Sequence, residues 1–187
     1  MKTIKILAVL FFSATLSLSA QKSEVNISKS TVEWTGKKIG GAHNGDVKIK
    51  SAFLDFRNDE IVGAKVVIDM TSITNADLED EGYKQKLIGH LKSDDFFGVE
   101  KFPTASFEVA KSTKFKDGKA SVTGNLTIKG KTEEITVDVF KEGAKYSAQL
   151  KVDRSKFDVR YGSNSFFDNL GDKAIDDIFI LDIKLTL

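Results

Sequence analysis

The sequence predicts an all-β fold, an antiparallel sheet closed into a barrel, and three observations carry the prediction. The first is strict alternation. Val122, Gly124, Leu126 and Ile128 fall on one side of an extended chain, with Thr123, Asn125, Thr127 and Lys129 on the other. The same period of two recurs over residues 135–139, 146–152 and 179–185. One apolar and one wet face per segment is how an antiparallel sheet covers an interior. The second is turn chemistry. Asp117-Gly118, Lys129-Gly130 and Lys141-Glu142-Gly143 make short connections, so neighbours in sequence are neighbours in space. The third is the number of segments, at least eight, enough to close the sheet and remove its edges. A two-sheet sandwich is the alternative that the pattern leaves open.

Taken in order, the first element stands outside the fold. Lys2 and Lys5 precede an apolar run over residues 6–12, and small residues follow up to Ala20. That is the plan of a secretory leader cleaved after Ala20, and the run is shorter than the roughly 20 residues of a membrane span. A single domain over 21–187 follows. Residues 30–35 form a strand with Val32 and Trp34 in alternation, and Gly36, Gly40, Gly41 and Gly45 mark turning or bulged backbone beyond it. Residues 46–50 and 51–56 read as two strands. Arg57-Asn58-Asp59-Glu60 then turns the chain into 61–70, rich in β-branched residues.

Over 75–97 the spacing becomes helical, giving a lid segment between strands. Asn75 can cap, Asp77, Glu79 and Asp80 suit an N-terminus, and Leu87, Ile88 and Leu91 make an apolar stripe. Gly82 weakens the segment, so it reads as one helix or two short ones. Residues 106–115 and 120–128 form a hairpin about Asp117-Gly118. The long loop 154–177 is rich in Gly, Asn, Ser and Asp yet carries Phe157, Tyr161, Phe166, Phe167 and Leu170. Such apolar content must pack on something, and the open end of the barrel is the place for it.

Composition narrows the function. The 187-residue chain has a formal charge of +1, and removing the leader takes away two lysines and no acid, leaving −1. No basic patch interleaved with aromatics points to nucleic acid. The chain has no cysteine, which excludes thiol catalysis and cysteine-ligated metals. The two histidines, His43 and His90, lie in no metal-binding or nucleophile motif. They read as structural or solvated, with hydrogen bonding to a ligand's polar end as the alternative. The acidic clusters at 77–81, 94–95 and 176–177 fit no calcium loop. The inward-facing set, Trp34, Phe107, Leu126 and Phe179 among it, is strongly apolar, so the interior is either solid core or a site for an apolar chain.

Several motifs in one order carry a family resemblance. They are Gly41-Ala42-His43-Asn44-Gly45, Val67-Ile68-Asp69-Met70-Thr71-Ser72-Ile73, the block from His90 through Phe96-Phe97 to Lys101-Phe102-Pro103-Thr104-Ala105-Ser106-Phe107, Val122-Thr123-Gly124-Asn125-Leu126, and Asp153-Arg154-Ser155-Lys156-Phe157. On these the chain resembles the YceI-like family over nearly all of 21–187. The resemblance implies a lipocalin-like, extended eight-stranded antiparallel barrel, usually periplasmic, with a deep pocket for a polyprenyl chain such as a quinone or isoprenoid tail. It places Phe96 and Phe97 beside the lid, Phe107 and Leu126 on the walls and Phe157 in the late loop of that pocket. The stretch 161–172 is longer than in isoprenoid-binding relatives.

The expectation is therefore a periplasmic or secreted carrier of a polyisoprenoid or similar lipid. Trp34, His43, His90, Phe96, Phe97, Phe107, Leu126, Phe157 and Phe179 are the candidate ligand contacts. No metal, cofactor, nucleic acid, catalysis or stable membrane insertion is expected, and a homodimer is compatible with the sequence. The alternative is a structural or stress-response barrel with a filled core that acts through a protein partner. An enzyme would need His43 or His90 to converge with an Asp on a cleft.

Overall fold

The computed structural model describes residues 21–187, and the expected leader lies outside them. The strands are β1 (Gln21–Glu24), β2 (Thr31–Lys38), β3 (Gly41–Asp46), β4 (Lys48–Arg57), β5 (Glu60–Asp69), β6 (Thr104–Ser112), β7 (Lys119–Ile128), β8 (Lys131–Glu142), β9 (Lys145–Asp153) and β10 (Ile178–Thr186). They make one antiparallel sheet in the order β1-β4-β5-β6-β7-β8-β9-β10-β2-β3. The sheet curls back on itself because β3, at one end of that order, runs through Val47 into β4 near the other. Val47 N donates to Val32 O (3.0 Å), so pairing with β2 continues across the joint. In the same way β1 leads into β2 while pairing with β4. Counting β1/β2 and β3/β4 as two long bent staves, the barrel has the eight expected.

Turn chemistry sets the hairpins. Asn58 and Asp59, Asp117 and Gly118, and Lys129 and Gly130 all have positive φ, the mirror-image turns whose twist matches paired strands. The two strands expected at 46–56 are one strand, β4. A register shift between Ile49 and Ser51 inserts one extra residue, and the buried side passes from Val47 and Ile49 to Leu54 across it. The backbone expected to turn at 36–45 is instead mostly paired as β2 and β3, and of its glycines only Gly40 has a positive φ (84°). Gly45 serves a close crossing: a Cβ there would lie 2.0 Å from Thr74 O.

The helical lid is shorter than expected. A single helix α1 spans Glu81–Lys92, capped by Asp80, whose side chain accepts from Tyr83 N (2.9 Å). Asn75 does not cap it. Its Oδ1 accepts from Leu78 N (3.0 Å) in a local turn, and residues 73–80 run as a non-helical strap along β3. Among the described residues no helix is long and apolar enough to cross a membrane. The wall is uneven between β8 and β9, which pair only where residues 139–142 meet 145–148 and splay apart beyond. The 3-10 turn Arg154–Phe157 packs against β8 there, and the fully buried Phe157 and Val159 belong to the core.

Candidate functional site

Inside the barrel the inward side chains do not meet. A cavity of about 190 Å³ remains, on a measure where one water needs about 10–15 Å³. It runs from Leu54 and Tyr146 toward the end opposite the lid up to Phe96, Phe97, Ile175 and Asp176 beneath the lid. The far end is closed by aromatic packing. Tyr146 lies 5.4 Å from Phe56 and 6.0 Å from Phe115, centroid to centroid, and burial raises its hydroxyl above the ordinary tyrosine range. The wall is almost wholly hydrocarbon, and such a surface cannot replace the hydrogen bonds of water. An apolar chain is what it fits.

The strap and the long loop close the other end. Trp34 faces the cavity and its Nε1 donates to Thr74 O (3.0 Å), so one residue lines the lumen and holds the strap. Thr74 N donates to Asp46 O and Ala76 N to Asn44 O, each at 2.9 Å, which occupies the free edge of β3. Asp77 secures the strap's end, accepting from Asn44 N (2.9 Å) and pairing with His43 Nδ1 (2.8 Å). Burial acts to raise the Asp77 carboxyl, yet the bonds from Asn44, His43 and Asn75 outweigh it and pull it down to about 2.

Of the sequence-derived candidates, Trp34, Phe96, Phe97, Phe107, Leu126 and Phe179 line the cavity. Phe96 and Phe97 stack edge to face (5.0 Å), and Phe97 meets Phe179 in turn (6.2 Å). His43, His90 and Phe157 do not line it. His43 is drawn to Asp77 and holds the strap. His90, in the last turn of α1, packs edge-on against Tyr161 (4.2 Å) and Phe96 (5.8 Å), with its Nε2 buried and unbonded. Phe157 is buried where the 3-10 turn meets β8. The His43–Asp77 pair that an enzyme reading would need is thus away from the cavity. Among the described residues no group of three His, Asp or Glu could hold a metal, and Asp176 in the wall already accepts from Ile178 N (3.0 Å).

Sequence reasoning missed Arg154, a cationic side chain in a mostly apolar wall and only 2% exposed. Its Nε donates to Asp176 O, Nη1 to Val159 O and Tyr161 O, and Nη2 to Ile175 O, all at 2.9–3.0 Å. Asp177 lies 3.4 Å from Nη2, and the guanidinium sits 5.5 Å above the Phe96 ring. Burial lowers the arginine's pKa while Asp177, Asp176 and Asp153 oppose it. One signal was available: Arg154 continues the inward phase of Tyr146, Ala148, Leu150 and Val152. The loop also departs from expectation in what it exposes. Phe166 and Phe167 stay 38% and 49% exposed rather than packing on the mouth, and Tyr161, although its ring meets His90, is 47% exposed, while Val159 and Ser163 are fully buried.

Comparison with known proteins bears on this geometry. The model of the YceI-like domain matches residues 20–187. A UPF0312 protein of Vibrio campbellii is 29% identical over 146 residues, covering 68% of this chain and 74% of that one. A UPF0312 protein of Pseudomonas aeruginosa is 35% identical over 83 residues, 44% of this chain and only 39% of its own length. The crystal structure of Burkholderia cenocepacia BcnA matches with a TM-score of 0.69 at 28% identity, covering 87% of this chain and 99% of that one. The structure of a polyisoprenoid binding domain from Saccharophagus degradans matches with a TM-score of 0.59 over 89% of this chain and 97% of that one. At 13% identity that likeness is one of fold.

Proposed function

This chain belongs to the YceI-like family, and from that premise we propose that it is an exported carrier. It holds one long apolar lipid, a polyisoprenoid or quinone tail, inside the barrel. The observation that carries the reading is the hydrocarbon-walled cavity under a tethered lid. The fold is shared with the Saccharophagus protein described as a polyisoprenoid binding domain, which supports the choice of chain. Burying such a chain yields roughly 0.8 kcal/mol per CH₂, so affinity comes from length. Every hydrogen-bonding direction of Arg154 ends on a backbone carbonyl or faces Asp177, which leaves no donor there for a charged headgroup. The chain is recognised rather than its head. Export to the periplasm or medium, through a leader over 1–20 ahead of the 21–187 barrel, belongs to the same reading.

Native mass spectrometry and organic extraction of the protein from bacterial membranes should return about one apolar lipid per barrel. Phe107→Asp, which sets a charge in the cavity wall, should abolish that lipid while circular dichroism shows the fold intact. Wild-type protein that carries no lipid and takes none up from detergent-solubilised polyprenol would overturn the reading.

A further inference from the structure

Four of the apolar side chains left exposed share one end of the molecule. Ile39, Tyr161, Phe166 and Phe167, each 38–58% exposed, all stand at the lid end of the barrel. Two elements present them. Ile39 is the tip of the β2–β3 hairpin, and the aromatics belong to the loop after β9. Backbone bonds join the two: Asp176 N donates to Lys37 O (2.9 Å), Ile39 N to Ala174 O (3.4 Å), and Lys38 bridges to Ile175. The prongs therefore form one platform, and Ile175 and Asp176, which bind the hairpin to the loop, also line the cavity.

Charge surrounds the apolar tips. Lys37 and Lys38 flank Ile39, and no acid lies between Glu33 and Asp46. Lys37, Lys38 and Lys173 have no ion-pair partner among the described residues. Arg160 stacks on Phe166 (5.1 Å) while pairing with Asp158 (2.6 Å). Around the loop aromatics, Asp94, Asp95, Asp158, Asp168 and Asp172 outnumber Lys129, Arg160 and Lys173, which leaves the hairpin as the positive prong.

We propose that this end of the barrel docks on a phospholipid bilayer. Ile39, Phe166 and Phe167 enter the boundary between headgroups and acyl chains, and Lys37 and Lys38 meet lipid phosphates. A bilayer is the occupant this chemistry selects, because Ile39 is bordered by Lys37 and Lys38 and Phe166 lies under Arg160, and apolar tips with basic flanks suit a membrane interface. The cavity reaches the same platform, so a chain could pass from bilayer to barrel without crossing water. The docking goes beyond the carrier reading and rests on it only for its purpose.

Flotation with vesicles of phosphatidylethanolamine and phosphatidylglycerol tests it. The protein should float, and less so at high salt. Lys37→Glu with Lys38→Glu should lower vesicle affinity by about fivefold or more per lysine. Phe166→Ser with Phe167→Ser should lower it by about tenfold without moving the melting temperature, since both rings are partly in water. Wild-type protein that stays at the bottom of the gradient overturns the proposal, as do variants that float like wild type. A dimer in sedimentation velocity that Phe167→Ser disperses would give this face to a second copy and overturn it too. Extraction of the same samples reports on the carrier reading alone. Floating protein without lipid sinks that reading and keeps the docking, and lipid-filled protein that never floats does the reverse.

Discussion

Arg154 shows what a buried charge is for in this molecule. Its guanidinium gathers carbonyls from residues 159, 161, 175 and 176, so it fastens both ends of the long loop over the cavity. Removing it leaves those carbonyls without their donor and Asp177, 3.4 Å away, without its counter-charge, and breaking a buried pair in this way costs about 3–5 kcal/mol. Arg154→Met should lower stability by that amount in urea unfolding. Arg154→Lys should recover little of it, since one ammonium cannot reach carbonyls arranged around a planar fork. Asp77 makes a pH prediction of definite sign. Its folded pKa, about 2, lies below the unfolded value near 3.9. Its contribution is therefore complete above the unfolded value and is lost as pH falls through the folded one. The stability gap between wild type and Asp77→Asn should be widest at neutral pH and close between about pH 4 and pH 2.

At the scale of elements the strap along β3 matters most. Thr74 approaches Gly45 so closely that a methyl group has no room: the added Cβ would meet Thr74 O at 2.0 Å, Thr74 C at 2.7 Å and Asn75 Cα at 2.9 Å. All three are backbone atoms and cannot rotate aside. Gly45→Ala should cost about 1–3 kcal/mol and speed hydrogen exchange at the Thr74 and Ala76 amides, which bond to β3. This crossing also explains why β3 was illegible in the sequence. Gly45 answers to a chain about 30 residues away, and Gly41 meets nothing within 4 Å, so the strand leaves no alternation, whereas β7 to β10 alternate because each has a core face and a wet one. Leu126, on β7, was legible as a wall residue for that reason. Phe157 was not, because the splay of β8 from β9 that buries it is no local property. His43 was not either, since its partner Asp77 lies 34 positions away.

For the whole molecule the decisive quantity is the space the barrel keeps open. A filled barrel gains from packing every inward position, and an open one forgoes that gain so that a ligand completes it. Stability and binding are then opposed, and a single substitution can separate them. Ala64 is buried, small and part of the cavity wall, paired with Leu54 on β4. Ala64→Phe would place a ring into the empty lumen without breaking a hydrogen bond. Emptied of lipid, this variant should be as stable as wild type or more so by about 1–2 kcal/mol, because cavity volume is itself destabilising. Its lipid uptake should fall, and the melting-temperature rise that lipid gives the wild type should shrink with it. The check is a pair of thermal unfolding curves for each protein, with and without polyprenol. If Ala64→Phe is destabilised while its uptake is unchanged, the lumen is already close-packed at this position and the chain lies elsewhere.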